Sequence, residues 1–124
     1  MSKREESIQV FLHLLYEYKK GLRDLALYTF SNSIKGFIEL KLSKSHISYI
    51  MQSLDNERSN VFFGDEACIQ VLSSFGNKKL NNYTAEEDFM LGIMLGYNRT
   101  EQCKRYLQVK KRSRVYSTVL TDAY

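Results

Sequence analysis

The sequence predicts an α+β domain in which a small three-stranded mixed sheet is covered by about five helices, in the order α-β-α-β-β-α-α-α. Three observations point to that class. Short runs rich in aromatic and β-branched residues, LALYTF and NVFF, alternate with longer runs whose apolar residues recur at helical spacing. Glycines and polar clusters punctuate these runs: Gly21, SNS at 31–33, DNERS at 55–59, Gly64 and Gly76. Two capping patterns, Thr84 with Glu87 and Asn98 with Glu101, mark helix starts. A chain of 124 residues has the size of one ordinary domain. A single domain over 1–124, with a basic C-terminal extension from about 108 to 124, is therefore expected.

Residues 8–20, IQVFLHLLYEYKK, fit two periods. As a helix, Ile8, Phe11, Leu12, Leu15 and Tyr18 make one face; as a strand, Ile8, Val10, Leu12, Leu14, Tyr16 and Tyr18 alternate. The length of the run, and its end in lysines followed by Gly21, favour the helix. LALYTF at 25–30 reads as a strand ended by SNS. One of Ser31, Asn32 and Ser33 then caps a helix to about Ser43, with Ile34, Phe37 and Ile38 turned inward. Residues 46–54 and 60–63 flank DNERS and read as a hairpin, and the strand, helix and return strand before it read as a parallel, right-handed crossover. Gly64 and Asp65 lead into a helix capped by Asp65, in which Cys68, Ile69, Val71, Leu72 and Phe75 keep helical spacing. NKKLNN connects it to 83–107, YTAEEDFMLGIMLGYNRTEQCKRYL, the most apolar stretch of the chain. From Phe89 to Tyr97 no residue is charged, so this helix is expected to be buried on most faces and to organise the rest. It is too short to span a bilayer. A last helix starts at Asn98 and runs through about Lys111.

Composition narrows the function classes. The formal net charge is +4, and from Arg99 onward seven basic residues face only Glu101 and Asp122, so the basic character belongs to the C-terminal end. MSKREES is polar and leads into no signal-peptide pattern, so a cytoplasmic protein is expected. Cys68 and Cys103 form no CxxC pair, have no neighbouring His cluster and fall on apolar helix faces, where thiols act as small hydrophobes. NVFFGDEAC superficially suggests a phosphate turn, but Asp65 and Glu66 stand where a phosphate would sit, and neither GxGxxG nor GxxxxGK[ST] is present. His13 lies among leucines and reads as packed; His46 begins a strand. His46 with Cys68 would be catalytic only if the fold brought them within hydrogen-bond reach. No metal, cofactor or membrane is expected, and no catalytic residue stands out.

Three groups of residues are candidates for contact. Tyr16, Glu17, Tyr18, Lys19, Lys20 and Arg23 gather in YEYKKGLR. Basic groups there complement a helix dipole, and the same set makes a recognition edge for an acidic protein, with Tyr16 or Tyr18 as an aromatic anchor. Gly92 and Gly96 stack one turn apart and permit close backbone approach, within the chain or to a second copy. Lys104, Arg105, Lys110, Lys111, Arg112 and Arg114 surround Tyr106 and Tyr116, a mixture that can contact phosphates and stack on bases, although a charged solvated helix has the same composition.

LLYEYKKGLRDLALYTF at 14–30, NVFFGDEACIQVL at 60–72 and the 83–107 stretch together resemble a small bacterial family of uncharacterised proteins of about this length, defined only as a domain of unknown function. The resemblance covers most of the chain up to Leu107; 32–59 contributes little and the segment after Val109 is peculiar to this sequence. It implies three strands, five helices and a homodimer, and supplies no activity, ligand or catalytic residue. Through gene neighbourhoods containing flavodoxin it also implies an accessory role near electron transfer. The combined expectation is a cytoplasmic homodimeric accessory protein that binds an acidic partner such as a flavodoxin, with nucleic-acid binding by the basic tail as the alternative.

Overall fold

A computed structural model describes the backbone of residues 1–122 and the side chains of residues 1–112. It falls into two compact units, Met1–Asn77 and Lys78–Tyr124. The first unit opens with helix α1 (Lys3–Lys19), capped by Ser2, whose hydroxyl accepts from the Glu5 N–H at 3.1 Å. The helical reading of 8–20 prevails because Phe11 and Leu15, four residues apart, are the buried pair. Strand β1 (Leu25–Ser31) ends at Ser31, whose hydroxyl caps a short 3-10 turn (Asn32–Ile34) that runs into helix α2 (Lys35–Lys44). Strands β2 (Ser48–Ser53) and β3 (Arg58–Gly64) form the expected hairpin, and helix α3 (Glu66–Ser74) follows. In the hairpin loop the Asp55 carboxylate accepts the N–H groups of Glu57 and Arg58, both at 2.8 Å, which holds its carboxyl below the usual range.

The α+β class and the order of elements are as the sequence predicts; the mixed character of the sheet is not. The strand order is β1-β3-β2, and both ladders are antiparallel, from Leu25↔Gly64 to Ser31↔Arg58 and from Ser48↔Gly64 to Ser53↔Ser59. Strands β1 and β2 do run the same way, but β3 lies between them. The reason is burial: Ser59 to Gly64 are all buried, on both faces of the sheet, and a strand apolar on both faces belongs in the centre.

On one face of the sheet Ala26, Phe30, Val61 and Phe63 meet Phe11 and Leu15 of α1, Ile34 of the 3-10 turn and Ile38 and Leu42 of α2. Phe11 packs edge-on against Phe63 at 5.5 Å and Phe37 at 6.3 Å between ring centroids. This cluster, not the 83–107 stretch, is where the first unit's core is built. In the second unit, helix α4 (Ala85–Met94) has the full capping box, Thr84 Oγ1 accepting from Glu87 N–H and the Glu87 carboxylate from Thr84 N–H. It buries Ala85, Leu91 and Gly92, yet Met90 and, past its end, Tyr97 stay exposed, so the uncharged run 89–97 is not buried on most faces. Its partner is helix α5 (Arg99–Asp122), started by Asn98 Oδ1 accepting from Glu101 N–H and longer than the expected end near Lys111. Among the described residues no helix is long and apolar enough to cross a membrane.

Helices α1, α2 and α4 each end in a Schellman turn, with paired backbone bonds such as Gly21 N–H to Tyr18 O and Leu22 N–H to Glu17 O. In α2 the left-handed position belongs to His46, at φ +55°, so this residue ends a helix and does not begin a strand. A Cβ in that region is disfavoured. His46→Gly is expected to stabilise the protein by about 0.5–1 kcal/mol, net of the extra freedom glycine gives the unfolded chain. The urea midpoint checks this; an unchanged or lower midpoint would mean that the imidazole contributes a contact worth more than the strain.

Candidate functional site

The C-terminal half of α1 presents an exposed aromatic residue ringed by cations. Tyr16 is 54 % exposed, and Lys20, one helical turn on, places Nζ 5.7 Å from the centre of its ring. His13, one turn earlier, lies nearly parallel to the same ring with 6.5 Å between ring centroids. Lys19 and Lys20 are both exposed. The Schellman turn then brings Leu22 out at 69 % exposed. In such turns the residue at that position often packs on the helix's last turn, but the position it would pack against is Glu17. A leucine is thus left facing solvent two residues after Lys20.

The remaining members of the predicted edge do other work. Glu17 Oε1 accepts from Arg23 at 3.2 Å and lies 3.3 Å from His13 Nε2, so its charge is already met. Arg23 is half-buried, and its Nε has no hydrogen-bond partner. Tyr18 turns toward the core cluster, and burial, followed by Asp65, Cys68 and Asp24, raises its phenol above its ordinary range. His13 itself is exposed, which corrects its expected packing among leucines. Of the six residues predicted for this edge, Tyr16, Lys19 and Lys20 face solvent together, and Leu22 joins them. The sequence carried a signal for it: a leucine one residue past a helix-ending glycine, with a glutamate where its apolar partner would stand.

Burial first, then the carboxylates of Asp65 and Asp24, push the Cys68 thiol up, the reverse of what a reactive thiolate needs. Asp65 takes the cap position of α3, but its side chain makes no cap hydrogen bond; its N–H donates to Asp24 O at 2.8 Å. Among the described residues, no three His, Cys, Asp or Glu side chains are grouped to hold a metal ion.

In the second unit three of the seven basic residues of α5 are engaged. Arg105 forks onto Asp88, with Nε 2.7 Å and Nη2 3.1 Å from its oxygens; Lys110 Nζ is 3.0 Å from Glu86, and Lys104 is 3.5 Å from Glu101. Lys111 and Arg112 are exposed, and the side chain of Arg114 lies outside the described residues, as does that of Tyr116. Gly92 is buried where α4 meets α5, and a Cβ there would run into the side chain of Gln102. Gly96 does not share that contact: it is exposed in the turn after α4 at φ +82°. Cys103 is exposed and not on a buried face.

These ion pairs carry a pH signature. Lys110 first, and then Tyr106, hydrogen-bonds Glu86 and holds its carboxyl below the ordinary range; Lys78, at 2.6 Å, and the Thr84 N–H do the same for Glu87. A carboxyl lowered in the folded state stabilises above its unfolded pKa, about 4.3, and that contribution is lost as pH falls through the lower folded value. The second unit is therefore expected to lose thermal stability below about pH 4, and Glu86→Gln with Glu87→Gln to flatten the profile. Helical circular dichroism melts across pH 3–6 check it, and a profile that the substitutions leave unchanged would count against these pairs.

Residues 9–109 match a family described as a protein of unknown function (DUF2023). No curated protein matches the chain. The matched span includes α1 from Gln9, the whole sheet, α3, α4 and the first half of α5, and stops before Lys110.

Proposed function

The chain belongs to the DUF2023 family, and for this member we propose a role in binding an acidic protein through Tyr16, Lys19, Lys20 and Leu22. The observation that carries this reading is Tyr16, an exposed ring with the Lys20 ammonium over it, followed by the exposed Leu22 in the turn that ends the same helix. An aromatic and a leucine that shed water on contact supply the centre of an interface, and lysines at the rim select a negative surface and speed the encounter. Glu17, the one carboxylate within this edge, is neutralised by Arg23 and does not oppose such a partner. Flavodoxins are typically acidic, and a flavodoxin is the partner we put to the test, with the protein acting as a homodimeric accessory in the cytoplasm.

Lys19→Glu with Lys20→Glu, and separately Tyr16→Ala, should each weaken binding of purified flavodoxin by about tenfold or more. Both variants change exposed side chains, so stability should move by no more than about 0.5 kcal/mol. Calorimetric titration measures the first and urea unfolding the second. Arg23 is left out because its charge is committed to Glu17. Binding that survives both variants undiminished would remove this surface from the proposal. The nucleic-acid reading has less support, because Arg105 and Lys110 already hold carboxylates; salt-steep nucleic-acid binding abolished by truncation after Leu107 would favour it instead.

A further inference from the structure

The two helices of the second unit leave an apolar groove between them, of about 510 Å³, lined by Glu86, Phe89, Met90, Cys103, Tyr106 and Leu107. Phe89 and Tyr106 line it with ring centroids 5.6 Å apart. Its walls stand in water: Met90 is 41 % and Leu107 65 % exposed. Large apolar side chains flanking a preformed groove are what a helix-binding surface presents, and methionine is the residue such surfaces use to adapt.

Charge says what kind of helix fits. Met1–Asn77 contains nine basic and nine acidic residues, whereas Lys78–Tyr124 contains nine basic and five acidic, so the whole chain's +4 resides in the unit that holds the groove. Around the groove the cations of Arg105 and Lys110 are balanced by Asp88 and Glu86. Lys104 and Lys111 stand three residues before and four after Leu107, on its face of α5, and both are exposed. Lys104 has only an exposed pair with Glu101 at 3.5 Å, which solvent screens. A second copy presenting this same unit would bring an equal positive charge to the groove and be repelled, so the proposed homodimer forms through another surface.

We propose that the groove between α4 and α5 binds an acidic amphipathic helix of another protein, with Met90 and Leu107 meeting its apolar face and Lys104 and Lys111 its carboxylates. Apolar residues at i, i+4 and i+7 of the incoming helix enter the groove, and Asp or Glu beside them reach the lysines. This surface is distinct from the one on α1 and goes beyond the function proposed above.

The test uses the full chain and a synthetic peptide of about four helical turns, with leucines at i, i+4 and i+7 and glutamates at the flanking positions, followed by fluorescence anisotropy. Saturable binding is expected, weakened about tenfold or more by Leu107→Glu, weakened also by Lys111→Glu and by added salt, and unchanged in the Lys19→Glu/Lys20→Glu variant. Leu107 is exposed, so its substitution leaves the fold in place. The proposal is overturned if the peptide does not bind, if a lysine-substituted version of it binds equally well, or if Leu107→Glu has no effect. Sedimentation showing a dimer of the unmodified chain that Leu107→Glu dissolves would overturn it too, by assigning the groove to a second copy.

Discussion

Gly64→Ala should cost the first unit about 3–4 kcal/mol, one of the two largest losses available to a single substitution here. Gly64 ends β3 and is paired on both sides, with Leu25 of β1 and Ser48 of β2, so it cannot move without disturbing both ladders. Its φ is +150°, a region that a residue with a Cβ rarely enters. An added Cβ would lie 2.9 Å from Leu25 Cα and closer still to Asp24 O. Both are backbone atoms of a strand end, not the tip of a side chain that could swing aside. The same carbonyl accepts the Asp65 N–H at 2.8 Å, so moving it also loosens the entry to α3. Urea unfolding of Gly64→Ala against the parent measures the difference. A loss under about 1 kcal/mol would show that the β1 and β3 ends can separate more freely than their packing implies.

How much of this was legible from sequence depends on whether the determining contact is local. The capping box at Thr84 and Glu87, the hairpin around DNERS and the helical reading of 8–20 rest on residues a few positions apart, and each is present. Strand order is a different kind of fact. A strand, a helix and a strand suggest neighbours, and only the burial of NVFF on both faces assigns the centre to β3. The apolar run at 89–97 misleads for a related reason: hydrophobicity is local, whereas burial depends on what arrives, and Met90 and Tyr97 stay exposed.

The candidate surfaces divide in the same way. Tyr16 and Lys20 are four residues apart on one helix, so their meeting could be read from spacing. The neutralisation of α5 could not, since Arg105 finds Asp88 across 17 residues and Lys110 finds Glu86 across 24. A tail that reads as a free basic stripe is therefore partly one half of an ion-paired hairpin. His13 shows the converse error: leucines on either side in sequence point elsewhere on a helix, and the imidazole between them faces water.

The other large effect lies on α1 itself. Phe11→Ala is expected to lower stability by about 3–5 kcal/mol, because Phe11 is wholly buried and the cavity left behind is walled by rigid neighbours. It lies against Phe63 in the central strand and Phe37 in α2, so no single element can relax into the space without breaking contact with the others. That loss is a large part of the 5–15 kcal/mol typical of a folded domain. Five residues on, Tyr16→Ala removes an aromatic ring of similar size from the same helix at a site open to solvent, and its stability should stay within about 0.5 kcal/mol. The two variants together separate folding from recognition: one aromatic residue holds the helix to the sheet, and the other meets the proposed partner. Equilibrium urea unfolding of both, alongside flavodoxin titration of the Tyr16→Ala protein, reads the distinction. If Phe11→Ala cost no more than Tyr16→Ala, the α1 contact with the sheet would not be the close packing that positions the exposed surface.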